Sequence, residues 1–107
     1  MSTEKAKGDA FERDVVRTLN EHGHPYAERA LQLGRHDDRG DIAGVPGFYF
    51  DAKNHGRLQL AWWVDEAREQ AGVLVPVVVV KRKGKAGADH AYAVLELARF
   101  AEVIGDA

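Results

Sequence analysis

The sequence predicts an α/β domain: a mixed sheet of about five strands with helices packed on it, in the order α-β-β-β-α-β-β-α. Three observations predict it. Residues 9–21 carry apolar side chains at helical period, residues 42–53 alternate as a hairpin around Pro46-Gly47, and four consecutive valines at 77–80 follow a second amphipathic helix. A strand after a helix, apolar on both faces, is the signature of a central strand in a crossover unit.

The chain has 107 residues, enough for one domain with a modest core. Residues 1–7 are expected to be a flexible tail and residues 8–107 the single domain. No apolar run is long enough to span a membrane. Cysteine is absent, which excludes disulfides and thiolate-zinc sites and fits a reducing cytoplasm. The net charge of −2 argues against a generic basic coat for nucleic acid, but the charge is segregated: bases gather at 29–39 and 81–85, acids at 65–69.

In the first helix Phe11, Val15, Val16 and Leu19 form the apolar stripe, and Glu12 lies at its edge. Glu12 has two readings. It is the fourth residue of a capping box opened by Asp9, or it points inward over the sheet. Arg13 is a candidate phosphate contact. His22 to Pro25 ends the helix, and its two histidines lack a third ligand at zinc spacing. Residues 26–33 alternate as a strand, with Ala27, Arg29, Leu31 and Leu33 on one face.

A charged, glycine-bounded loop follows, residues 34–40. Arg35 and Arg39 are expected to bind phosphate there, and His36 to shuttle a proton, since its ordinary pKa lies near neutrality. Asp37 and Asp38 are solvated, or replace Asp41 as a ligand in another register. In the hairpin, Phe48, Phe50 and Ala52 share one face; Tyr49, Asp51 and Lys53 share the other. A two-residue loop would pair Ile42 with Asp51 and send Asp41 to the opposite face. An odd loop, Val45-Pro46-Gly47 with Gly47 at positive φ, sets Asp41 across from Asp51 with Cβ atoms roughly 5 Å apart. The odd loop is the expectation, and two carboxylates that close call for a cation, with oxygen-only ligation suiting Mg²⁺ or Mn²⁺.

Residues 58–71 are the second helix, with Leu60, Trp63, Val64, Ala67 and Ala71 buried and Gly72 as its stop. Trp62 falls off that stripe and is expected at a protein interface. Residues 75–83 are the central strand, with Pro76 tolerable only near its start. Lys81, Arg82, Lys83 and Lys85 run past it into a turn and are expected to reach a duplex backbone. Residues 90–95 are a last strand, and residues 96–104 a terminal helix with Leu97, Phe100 (or Ala101) and Ile104 inward.

Asp41, nine residues, then Asp51-Ala52-Lys53 resembles the motif of the PD-(D/E)xK nuclease superfamily. With a glutamate-bearing helix upstream and a helix and valine strand downstream, the chain is similar to the archaeal-type and phage-encoded Holliday-junction resolvases over roughly residues 8–104. Two positions depart: Gly40 replaces the proline, and Asp51 stands where glutamate is usual. The resemblance implies a restriction-endonuclease-like fold and a Mg²⁺-dependent endodeoxyribonuclease that leaves 5′-phosphate ends, with Mn²⁺ substituting. It implies that Glu12, Asp41, Asp51 and the carbonyl of Ala52 hold the metal, that Lys53 is catalytic, and that Gln70 is an accessory near the site. Branched or four-way DNA is the expected partner, and a homodimer supplies two nicks. The location is cytoplasmic, the host's if the chain is phage-encoded. The rivals are another nuclease of the same chemistry, or a non-catalytic DNA-binding module.

Overall fold

The computed structural model describes residues 3–30 and 40–105, with side chains from residue 5 onward. Helix α1 spans Thr3–Glu21, and strand β1 is the short Glu28–Arg29. Strands β2 (Ile42–Ala43) and β3 (Phe48–Lys53) make the hairpin. Helix α2 (Leu60–Ala71) leads to β4 (Val75–Val80), and a short 3₁₀ turn at Ala88–His90 precedes β5 (Tyr92–Val94) and α3 (Leu97–Gly105). The protein is a mixed α/β fold with one five-stranded sheet in the order β1-β2-β3-β4-β5. All neighbours run antiparallel except β3 and β4, which are parallel and joined through α2.

Alternation along β3 and β4 divides the core in two. Phe50, Val77 and Val79 face α1 and meet Phe11 and Val15, together with Ile42 from β2. Tyr49, Val78 and Val80 face α2 and meet Trp63, Ala67 and Ala71. Both faces of β4 are therefore buried, as the valine run requires, and Pro76 sits next to the strand's first residue. Gly72 ends α2 with φ of 60°, and the helix stripe is the expected one.

Several boundaries differ from expectation. Helix α1 begins at Thr3, inside the segment expected to be a tail, so Asp9 lies within the helix rather than at its cap. The capping-box reading of Glu12 therefore fails. Helix α2 starts at Leu60 rather than at 58, where Gln59 holds a non-helical backbone. Strand β4 stops at Val80, and residues 81–85 belong to the following turn.

The terminal helix is the largest correction. Leu97, Phe100 and Ile104 were expected inward, yet they are 80%, 45% and 55% exposed, and Ala101 is exposed too. The periodicity was real, but periodicity reports an apolar face without saying what covers it. Among the described residues no helix is long and apolar enough to cross a membrane.

Candidate active site

The site is assembled by the hairpin. Ile42 pairs with Phe50, and counting one residue outward sets Asp41 opposite Asp51: the odd register. Gly47 makes it possible at φ of 88°, with the Phe48 amide donating to the Val45 carbonyl across the turn at 3.3 Å. Gly40 closes the other end. It holds φ of 72°, and a Cβ there would lie 2.3 Å from the Phe50 carbonyl oxygen. The next amide, of Asp41, donates to that same oxygen at 2.7 Å. A proline at 40 could not take this backbone, since its ring fixes φ near −65°.

Asp41 is thereby turned into the fold, where its Oδ2 accepts from the Ala52 amide at 2.7 Å. Ala52 was expected to contribute its carbonyl; the contact seen is the one its N–H makes with Asp41. Burial pushes the Asp41 carboxyl up to about 6, and the neighbouring Asp51 carboxylate adds to the rise, with the Ala52 hydrogen bond opposing it. Asp51 is likewise raised by burial, against the pull of Lys53. The two carboxyls lie close enough for each to influence the other's ionisation. Such a pair is held together by a shared proton in the absence of another cation.

Lys53 completes the cluster, its Nζ 3.5 Å from Asp51 Oδ2 and 5.9 Å from the centre of the Trp63 ring. The indole floor and the carboxylate fix the ammonium on the α2 side of the sheet. Asp51 and Lys53 open into a pocket of about 250 Å³ that is also lined by Tyr49, Glu66, Ala67 and Gln70. Gln70 therefore shares a pocket with Asp51 and Lys53. Glu66 was not foreseen there, although Trp63, Glu66, Ala67 and Gln70 follow an i, i+3, i+4, i+7 spacing that places them on one helix face. Its charge contributes to the rise at Asp51.

Glu12 points inward from α1, with 21% of its side chain exposed. Burial raises its pKa and the charge of Asp41 adds to the rise, while Arg29 opposes both. Arg29 donates through Nε and Nη2 to Glu12 Oε1, at 3.1 and 3.0 Å. Arg29 is the second residue the sequence reading missed. The signal was available: an arginine between Ala27 and Leu31 on the apolar face of a strand needs an acidic partner.

Arg13 is exposed on α1. The Lys81 amide donates to the Lys53 carbonyl at 3.0 Å, so the basic turn starts beside the site. Within the turn Lys83 Nζ donates to the Gly56 carbonyl, Arg82 lies over the Tyr92 ring and Lys85 is exposed. Trp62 is 62% exposed, off the core as expected. Arg35, His36, Arg39 and the alternatives Asp37 and Asp38 lie outside the described residues.

The structure thus brings Asp41, Asp51 and Lys53 together and keeps Glu12 with Arg29. Among the described residues no three acidic or histidine side chains converge as a ready metal cluster. The carboxylates of the pair are nonetheless of the kind a hard divalent cation takes: two apposed, part-buried oxygen ligands, with the Lys53 ammonium beside them. Against models of protein families, curated proteins and solved structures, the chain matches none.

Proposed function

We propose that the protein is a metal-dependent DNA endonuclease of the PD-(D/E)xK kind, with a restriction-endonuclease-like fold, acting on branched DNA. The observation that carries the reading is the odd hairpin register, which sets Asp41 against Asp51 with Lys53 Nζ 3.5 Å from the second carboxylate. A structural hairpin has no use for apposed, part-buried acids, since each raises the cost of ionising the other.

Asp41 and Asp51 would hold Mg²⁺ or Mn²⁺, with Glu12 as a further carboxylate from α1. When bound, the cation supplies charge at a phosphoryl oxygen and acidifies water. Lys53 orients the attacking water from its seat on Trp63 and offsets charge as it builds on the phosphorus oxygens. Arg13 and the basic turn at 81–85 bind flanking phosphates, which positions the backbone without reading sequence. A junction needs two symmetric nicks and each chain carries one site, so a C2 homodimer accompanies this substrate.

The pairing of Glu12 with Arg29 favours a second reading, a DNA-binding module that has lost catalysis. One assay decides between them. Purified protein is incubated with labelled four-way junctions, flaps and duplex in Mg²⁺ or Mn²⁺, beside an EDTA control. Metal-dependent cleavage with 5′-phosphate ends is expected, with junctions preferred. Binding without cleavage in either metal favours the module.

A further inference from the structure

An exposed aromatic residue stands in line with Lys53 and has no part in the cleavage proposed above. Lys53 pairs with Val80, and Val80 pairs in turn with Tyr92 of β5, so the three form one row across the sheet. Residues paired in this way project to the same face. Here it is the face covered by α2, since Val80 packs with Trp63 and Lys53 lies over that indole. Neighbouring strands lie about 4.8 Å apart, which sets Tyr92 about 10 Å from Lys53 along the row. Val80 is buried, whereas Tyr92 on the edge strand is 51% exposed and joins neither apolar core.

We propose, resting on the DNA reading above, that Tyr92 and Arg82 form a stacking site for one unpaired nucleotide. The ring takes the base, and the guanidinium meets its phosphate. Arg82 lies over the Tyr92 ring, its guanidinium carbon 5.9 Å from the ring centre. A nucleotide joins a planar aromatic base to an anion, and this pair sets an aromatic plane beside a cation. Stacking of a base on an aromatic side chain is tolerant of sequence, because every base has a π face. The turn that carries Arg82 is anchored at both sides of it. The Lys81 amide donates to the Lys53 carbonyl at 3.0 Å, and Lys83 Nζ donates to the Gly56 carbonyl at 2.6 Å.

The site has a consequence for the class of substrate. Bases inside a duplex are stacked on both faces, so only a single strand, a flap or an open branch point offers a face to Tyr92. At about 3.4 Å per nucleotide along a strand, about 10 Å spans about three nucleotides. The base held by Tyr92 therefore lies within about three positions of the phosphate beside Lys53. DNA with unpaired nucleotides next to the cleavage point is selected over plain duplex.

The test is fluorescence anisotropy in EDTA with three labelled DNAs: a single-stranded oligothymidylate, a blunt duplex of matched length and a four-way junction. Wild type, Y92A, Y92L and Y92F are compared. Y92A and Y92L should weaken oligothymidylate binding by about 5- to 150-fold and blunt-duplex binding by less than about twofold. Y92F should stay within about threefold of wild type on every DNA, because stacking needs the ring and not the hydroxyl. Circular dichroism confirms folding; if Y92A does not fold, Y92L carries the comparison. Unchanged oligothymidylate binding in the folded variant overturns the inference. An equal loss on oligothymidylate and duplex overturns it too, by making Tyr92 a prop for the basic turn. So does a loss in Y92F as large as in Y92L, which would assign the contact to the hydroxyl. Wild type that binds duplex or junction but not oligothymidylate overturns this inference alone. Wild type that binds none of the three overturns the DNA reading itself and this inference with it.

Discussion

Asp41 is more basic in the folded protein than an ordinary aspartate, and that has a consequence for stability without metal. A carboxyl whose pKa rises from the usual 3.8 to about 6 on folding stabilises the fold below the lower value. That stabilisation is lost as pH rises through the higher one. The metal-free protein should therefore melt at lower temperature at pH 7 than at pH 5, by about 1 kcal/mol of stability, the remainder of the shift having been lost between pH 3.8 and pH 5. Asp41→Asn should flatten the dependence, and Mn²⁺ should raise the melting point most at the higher pH, where it replaces no proton. A pH-independent melting curve for wild type in EDTA would contradict the buried pair. Lys53 calls for a different measurement. On the proposed mechanism Lys53→Ala removes a charge that acts on the transition state, so cleavage should fall by at least about a hundredfold with junction affinity nearly kept. Equal losses in binding and turnover would make Lys53 a phosphate ligand instead.

At the level of elements, the hairpin was legible because its chemistry is local. The alternation of residues 48–53 set the faces, and glycine at 47 with the spacing of Asp41 from Asp51 favoured the odd register over a two-residue loop, which the pairing of Ile42 with Phe50 then decided. The valine strand and the α2 stripe were legible for the same reason. The ends of α1 and α3 were not. No local signal announces that Thr3 already turns in the helix, and an apolar stripe such as Leu97, Phe100 and Ile104 looks the same whether buried or exposed. Arg29 was missed because its partners lie 17 and 20 residues away, across an element boundary. Gly40 was undervalued, being read only as a replacement for proline. Gly40→Ala forces a Cβ against the Phe50 backbone at a φ that disfavours side chains, at a cost of at least about 2 kcal/mol. Thermal denaturation should show a fall of roughly 8 °C or more. Gly56→Ala, with nothing within 4 Å and an ordinary φ, should change stability by less than about 0.5 kcal/mol. Similar melting points for the two variants would show that the close contact at Gly40 relaxes freely.

At the scale of the whole molecule, the question is what a single small domain does with apolar surface it leaves open. Trp62 lies 62% exposed on α2, although the adjacent Trp63 is buried under Lys53. An indole is among the residues most enriched at the centre of protein interfaces, and it carries a large share of the energy where it is buried there. The basic turn at 81–85 contains no acid, whereas Trp62 has Asp65 and Glu66 beside it on the same helix. That acidic setting repels a nucleic-acid backbone and suits a protein surface. Two-site cleavage of a junction requires a second copy, and Trp62 is the residue that best fits its contact. Trp62→Ala should therefore weaken self-association by about 2 kcal/mol, some thirtyfold in the dimer dissociation constant, while the melting point of the monomer changes little. Sedimentation of wild type and variant over matched concentrations reads the first effect and calorimetry the second. Monomeric behaviour of both proteins would remove the homodimer, and unfolding of the variant would return Trp62 to the core.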